Sequence, residues 1–134
     1  MQNKKNPRQN ELPGFVNTSI ITVWLFSLLL IVYYSLQPLP EIANQTRYLD
    51  KIVHMFSYLW LAILLFIYLK NSKMNLLIVL FLIFMGIALE IFQSYIPGRI
   101  FSVPDIIANI LGVLAGVLLG KKIKYLLAST FSRV

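Results

Sequence analysis

The sequence predicts an all-α membrane protein, a four-helix transmembrane bundle with both termini in the cytoplasm. Three observations support this fold class. Hydrophobic residues make up 58% of the 134 residues and the mean hydropathy is +0.75, whereas soluble domains are about 45–50% apolar. The apolar residues fall into four long runs. The basic residues lie mostly on one side of the topology that these runs imply.

The first apolar run covers residues 18–36 and ends with Tyr33 and Tyr34, which are typical of the membrane interface. A basic head before an apolar run also describes a signal peptide. This run is longer than the apolar core of such peptides, which has about 7–15 residues, and no small-residue cleavage site follows it. We therefore expect a retained anchor, preceded by a disordered basic tail over residues 1–17.

The other three runs complete a predicted transmembrane domain over residues 18–120. Residues 52–69 and 76–93 reach the length of about 18 apolar residues that a span needs, and their short connection predicts an antiparallel hairpin. Residues 104–120 are fewer and begin with polar side chains, so a re-entrant segment is an alternative to a fourth span. Residues 121–134 are predicted to be a basic cytoplasmic tail.

The distribution of Lys and Arg predicts the orientation in the membrane. Four spans place both termini and the loop between spans two and three on the same side. Nine of the 12 basic residues fall on that side, and the other three are Arg47, Lys51 and Arg99. Because positive residues accumulate in cytoplasmic loops, the side with nine is expected to be the cytoplasm. The net charge of +7 therefore indicates membrane topology and lipid as a partner, and not nucleic acid.

The scarce polar side chains of the spans gather at the opposite, extracytoplasmic end. On span two, Asp50, His54 and Tyr58 share one helical face at i, i+4 and i+8. The last turn of span three, the first turns of span four and the loop between them lie at the same depth. We therefore predict one polar pocket, formed by Asp50, Lys51, His54, Tyr58, Glu90, Gln93, Arg99, Asp105 and Asn109.

Glu90 is the strongest functional candidate in this pocket. It lies about 5 Å inside the end of its span, at about 1.5 Å per residue, and a charge in the middle of a membrane costs on the order of 2.5–3.5 kcal/mol. We therefore expect Glu90 to face the bundle interior and to pair with Lys51 or Arg99, or else to be protonated. A purely structural salt bridge is the alternative.

Structural explanations also exist for the other residues. Ser102 and Asp105 have the spacing of a capping box, Asp50 suits the first turn of a helix, and His54 could simply bond a carboxylate. The polar stripe of span four continues with three glycines at small-xxx-small spacing, which indicates helix packing and a central position for this span. These glycines are Gly112, Gly116 and Gly120.

A metal site is not predicted, and neither is a cofactor. Cysteine is absent, which excludes thiolate ligands. A metal site would need His54 together with Glu90, Asp50 or Asp105, and no tight ligand motif such as HExxH is present. A nucleophilic serine beside His54 lacks an elbow motif. Catalytic residues therefore stay unassigned.

Two stretches, DKIVHMFSYLWLAILL and EIFQSYIPGRIFSVPDIIANILGVLAG, resemble the VanZ-like family of small bacterial membrane proteins. The resemblance covers about residues 33–120. It rests on polar positions inside helices, read here as Asp50-Lys51-x-x-His54 with Tyr58, Glu90-x-x-Gln93, Arg99, Asp105, Asn109 and Gly112. It implies a multi-pass protein of the bacterial cytoplasmic membrane. The namesake of the family gives resistance to the glycopeptide teicoplanin, and no reaction is established for the family.

Three functions are compatible with these features. The first is tolerance of teicoplanin-type glycopeptides at the cell envelope, with a lipidated glycopeptide or a lipid-linked cell-wall precursor as the partner. The second is an intramembrane enzyme acting on a lipid-linked phosphate or ester, in which Lys51 and Arg99 bind the phosphate and His54 or Glu90 moves a proton. The third is a small transporter with a proton step at Glu90, which the lack of polar residues in the inner half of the bundle disfavours.

Overall fold

The computed structural model describes residues 14–38, 47–69 and 72–131. These residues form four helices and no strand. The helices are α1 (Gly14–Ser35), α2 (Arg47–Tyr68), α3 (Ser72–Gln93) and α4 (Val103–Phe131).

Each of the four helices is long and apolar enough to cross a membrane. The first three have 22 residues each, which is about 33 Å of helix against a hydrocarbon core of about 30 Å. Large apolar side chains are exposed around the bundle, including Phe26, Leu29, Phe84 and Leu118. This surface suits contact with lipid, and the prediction of an all-helical protein with four apolar helices is confirmed.

All four helices begin before the predicted spans, and α4 also extends well past the end of its span. Gly14 begins α1, so the last residues of the predicted N-terminal tail are helical, while residues 1–13 of that tail lie outside the described residues. α4 is one continuous helix of 29 residues, not a short re-entrant segment. It continues past Gly120 because the sequence KKIKYLLASTF contains no proline or glycine that would stop it.

Prolines and a glycine set the turns at one end of the bundle. Pro38 follows the end of α1, where it disfavours a helical conformation of the preceding residue. Between α3 and α4, Pro97 is followed by Gly98, whose φ of 82° lies in the left-handed region that glycine adopts readily. This turn returns the chain directly into α4, where Pro104 fits the first helical turn.

The central helix of the bundle is α2. It contacts α1, α3 and α4, and its interface with α4 is by far the most extensive in the molecule. The predicted central position of α4 is thus taken by α2. The two helices of the predicted hairpin, α2 and α3, run antiparallel but touch only slightly, and the main partner of α2 is α4.

Three glycines allow α4 to lie directly against α2. A Cβ atom on Gly116 would lie only 2.5 Å from the carbonyl oxygen of Leu59 and 2.6 Å from the Cβ of Ala62. A Cβ atom on Gly112 would lie still closer to the carbonyl oxygen of Met55, and one on Gly120 would lie 2.8 Å from the Cβ of Phe66. Since real Cβ atoms never come so close to other heavy atoms, only glycine permits this approach at these positions.

The remaining contacts fill an apolar core. Leu61 and Leu65 of α2, Leu82 of α3 and Val113 of α4 are buried there. α1 contributes Trp24, whose indole Nε1 donates a hydrogen bond to the Leu61 carbonyl at 3.2 Å. This core occupies the middle of the bundle, and the buried polar side chains lie at one end of it.

Candidate functional site

The buried polar side chains of the described chain lie together at one end of the bundle. We call it the polar end: it is where α2 and α4 begin and where α1 and α3 end. The opposite end, which carries the lysines of the last turns of α4, is called the basic end. The buried polar residues are His54, Glu90, Gln93, Asp105 and Asn109.

Two side-chain pairs join α2 to α4 at the polar end. Lys51 Nζ donates to Asp105 Oδ1 at 2.9 Å, and the Asp105 side chain is 6% exposed while that of Lys51 is 35% exposed. One turn further into the bundle, His54 Nδ1 lies 3.2 Å from Asn109 Oδ1. These pairs extend the line of contact that the three glycines make between the same two helices.

The second nitrogen of His54 faces another carboxylate. His54 Nε2 lies 3.7 Å from Asp50 Oδ1, one turn away on α2. Because an amide oxygen can only accept, the hydrogen bond with Asn109 requires the proton on Nδ1. In the neutral ring, Nε2 then carries its lone pair on the side of Asp50.

Glu90 makes a contact that the sequence did not indicate. Its Oε1 accepts a hydrogen bond of 2.7 Å from the backbone N–H of Ser102. Ser102 immediately precedes α4, so a carboxylate from α3 caps the N-terminus of α4, where negative charge is favourable. In a capping box Asp105 would accept from this same N–H. That alternative is wrong here, because Glu90 takes the amide and Asp105 binds Lys51.

The expected ion pair of Glu90 is also wrong. Among the described residues, Glu90 has no salt bridge with Lys51 or Arg99. The whole Glu90 residue is only 2% exposed, and its buried Oε2 has no hydrogen-bond partner in the described part of the chain. One oxygen of Glu90 therefore caps α4, and the other has no hydrogen-bond partner among the described residues.

The carboxyl-terminal end of α1 takes part in the site, which the sequence analysis missed. Arg99 Nε donates to the carbonyl oxygen of Gln37 at 3.0 Å, and Gln93 Nε2 donates to that of Ser35 at 2.9 Å. Both acceptors are backbone carbonyls, which any residue could supply. No pattern of side chains could therefore have revealed them.

Tyr58 and Gly86 close the site towards the core. Tyr58 is 2% exposed, and its hydroxyl has no hydrogen-bond partner among the described residues. A Cβ atom on Gly86 would lie 3.1 Å from Asn109 Nδ2 and 3.2 Å from the Tyr58 ring. Gly86 was not predicted, although it precedes Glu90 and Gln93 at i−4 and i−7 on the same face of α3.

Two cavities lie among these residues. The larger, of about 740 Å³, is lined by Asp50, Lys51, Glu90, Gln93, Arg99 and Asp105 together with the loop before α4. The smaller, of about 340 Å³, lies against α1 and is lined by Asp50, His54, Tyr58, Gln93 and Arg99 among others. Asp50, Gln93 and Arg99 line both cavities. Of the nine residues predicted for the pocket, Asn109 alone lines neither of these two cavities. It contributes instead through its hydrogen bond with His54.

The fold and this end of the bundle together define the class of protein. Four long apolar helices enclose an apolar core and carry a polar site at one end. A family model described as VanZ/LLP1 matches residues 3–126. The chain therefore belongs to the VanZ/LLP1 family, which confirms the resemblance seen in its motifs, and it is a multi-pass membrane protein. No curated protein and no solved structure matches the chain.

Proposed function

We propose that this protein acts in tolerance of teicoplanin-type glycopeptide antibiotics at the bacterial cell envelope. In this proposal it lies in the cytoplasmic membrane with its polar end outside. The family supports the antibiotic class, and the concentration of nine of the 12 basic residues on the other side supports the orientation. Glycopeptides act outside the membrane, where the polar end would then be.

The observation that carries the proposal is the mixed lining of the smaller cavity. Its walls combine apolar side chains from the membrane-spanning helices with charged and polar groups: Leu30, Ile31, Val53, Asp50, His54 and Arg99. Such a lining suits an amphipathic molecule whose acyl chain lies along the apolar wall and whose polar head reaches the charged groups. A lipidated glycopeptide and a lipid-linked cell-wall precursor both have this character.

Arg99 is the best group in the pocket for recognising an anionic head. It lines both cavities, and its Nε is held by the Gln37 carbonyl. A guanidinium fixed in this way presents its terminal N–H groups in the planar fork that binds carboxylates and phosphates. Lysine at this position would keep the charge and lose the fork.

The core of the bundle favours binding over transport. Beyond Tyr58 and Asn109 the buried side chains of the described core are apolar, with Leu61, Leu65 and Val113 among the most enclosed. A route for a polar solute across the membrane needs polar groups or water along its length. The apolar core therefore supports a site that opens at one end only.

The test is the susceptibility of a bacterial host to teicoplanin and vancomycin when it expresses the wild type, Glu90→Gln or an empty vector. We expect the wild type to raise the teicoplanin concentration needed for inhibition, and Glu90→Gln to return it to the empty-vector value. Glutamine can still accept a hydrogen bond from the Ser102 N–H, but an NH2 group takes the place of the second carboxylate oxygen. Membrane levels are matched by quantitative blotting.

Asn75→Ala is a suitable control, because Asn75 lies on the same helix as Glu90 but near the basic end. It should protect as well as the wild type. If the wild type shifts the response to neither drug, the proposed function is wrong. If Glu90→Gln protects fully, the pocket has only a structural role.

A further inference from the structure

We propose that Asp50, His54 and Asp105 form a binding site for a divalent transition-metal ion, with zinc as the best match. One oxygen or nitrogen atom from each of the three side chains lies within 4.8 Å of the other two. Asp50 and His54 come from successive turns of α2, and Asp105 comes from the first turn of α4. Because the third ligand is on another helix, no local sequence motif indicates the site.

The state of His54 favours a cation between its ring and Asp50. Asn109 accepts from Nδ1 and so directs the lone pair of Nε2 to the side of Asp50, 3.7 Å away. A lone pair and a carboxylate repel each other unless a proton or a metal cation lies between them. Zinc bonds of about 2.1 Å in a tetrahedral site place two ligand atoms about 3.4 Å apart, which is close to this separation. The hydrogen bond from Nδ1 is also the usual support of a metal-bound histidine.

Glu90 supplies an independent indication that the site takes a ligand. Its Oε2 is buried without a partner in the described structure, and the Glu90 residue lines the same cavity as Asp50 and Asp105. Glu90 lies outside the set of three ligands, and in this proposal it accepts a hydrogen bond from a water on the metal.

Lys51 is the competitor of the metal. Its ammonium group lies 2.9 Å from Asp105 Oδ1, on a carboxylate that would coordinate the ion. The Lys51 side chain is 35% exposed and lines the larger cavity, so it can withdraw into that cavity when a metal binds. Removal of the Lys51 charge should therefore strengthen metal binding, whereas removal of a ligand should weaken it.

The donor set selects the metal. Imidazole suits zinc and its neighbours, while carboxylates alone favour magnesium, calcium or manganese. One imidazole with two carboxylates and an open fourth position is a set that zinc accepts. The open position would face the cavity and would be available to water or to an oxygen of an anionic head group. The inference rests on the proposed function only in using the same pocket, and it does not require the antibiotic response.

The test is calorimetric titration of Zn²⁺ into the purified full-length protein in detergent, with a purification tag that contains no histidine. We expect one zinc ion per chain. His54→Gln and Asp105→Asn should each weaken binding at least tenfold. Lys51→Met should tighten it several-fold, while Lys121→Met, the same change at the basic end, should leave the affinity unchanged.

Lys51→Met keeps the test decisive if a ligand variant fails to fold, because a misfolded protein cannot bind zinc more tightly. The proposal is overturned if the wild type binds no zinc, or if Lys51→Met fails to tighten binding. It is equally overturned if His54→Gln and Asp105→Asn both bind as the wild type does. Drug susceptibility is measured separately, so either the zinc site or the proposed function can fail without the other.

Discussion

One face of α4 forms the whole α2–α4 interface, but its two halves contact α2 in different ways. We call them the tight half, which contains the glycines, and the polar half, which contains the polar side chains. Near the middle and the basic end, glycines bring the backbones of the two helices into contact, as at Gly116 and Leu59. At the polar end the same stripe carries Asp105 and Asn109, which meet Lys51 and His54 through side-chain contacts. One half is held by close packing, and the other by polar groups.

This difference shows how a polar site can be stable inside an apolar bundle. Buried polar pairs add little net stability, because their desolvation offsets their attraction. The glycine contacts instead provide van der Waals packing between helices, which drives association where lipid surrounds the protein. The tight half therefore fixes the register of α2 against α4, and the register determines which polar side chains meet.

The test with the largest expected effect determines whether the polar end or the basic end of the bundle lies outside the cell. The sequence contains no cysteine, so single cysteines can be placed at Gln45 and Asn71, in the connections at opposite ends of the bundle. A membrane-impermeant thiol reagent should label Gln45→Cys on intact cells, and Asn71→Cys only after permeabilisation. The opposite pattern of labelling would place the polar end in the cytoplasm and contradict the proposed function.

The second test breaks the tight half. Gly112→Ala places a Cβ atom against the carbonyl oxygen of Met55, and neither backbone can yield without moving a helix. We expect the free energy of unfolding in detergent to fall by about 3 kcal/mol. Gly14→Ala is the matched control, since no atom lies within 4 Å of its added Cβ. A change of less than about 0.5 kcal/mol for Gly112→Ala would contradict the packing role of the glycines.

The third test compares the two partners of the ion pair in the polar half. Lys51→Met leaves the Asp105 carboxylate, 6% exposed, without its cation. Breaking a fully buried pair costs about 3–5 kcal/mol, and because Lys51 is partly exposed we expect a loss of about 2 kcal/mol in unfolding free energy. Asp105→Asn should cost less, about 1 kcal/mol, because the freed lysine can turn to water.

Both variants of this pair are unfolded in the presence of a metal chelator, so that the ion pair alone is measured. Lys122→Met, at the exposed basic end, serves as the control and should change stability by less than about 0.5 kcal/mol. If Asp105→Asn destabilises the protein more than Lys51→Met does, the buried carboxylate is not the costly member of the pair.

The sequence indicated the members of the polar end more accurately than their partners. Glu90 was expected inside the bundle because a charge facing lipid is costly, and it is buried. Its expected partners were cations, yet it accepts from the Ser102 amide, while Lys51 binds Asp105. Depth along a helix can be counted from the chain, but the rotation of one helix against another cannot.

Backbone groups explain most of what was missed. The carbonyls of Ser35 and Gln37 accept from Gln93 and Arg99, and every residue type carries a carbonyl. Their role depends only on where α1 ends relative to α3, which is a matter of packing.

The sequence by itself determined that the chain forms four apolar helices, that its polar residues lie at one end, and that glycines line one edge of α4. These features follow from the length of apolar runs, the helical period and the size of side chains, all of which are local. The tertiary structure alone decided that α2 is central, that α4 is its main partner, and that Asp105 pairs with Lys51 while Glu90 accepts from the Ser102 amide. Such choices depend on contacts between helices far apart in the chain, and the energies of these contacts depend on how the helix surfaces fit together.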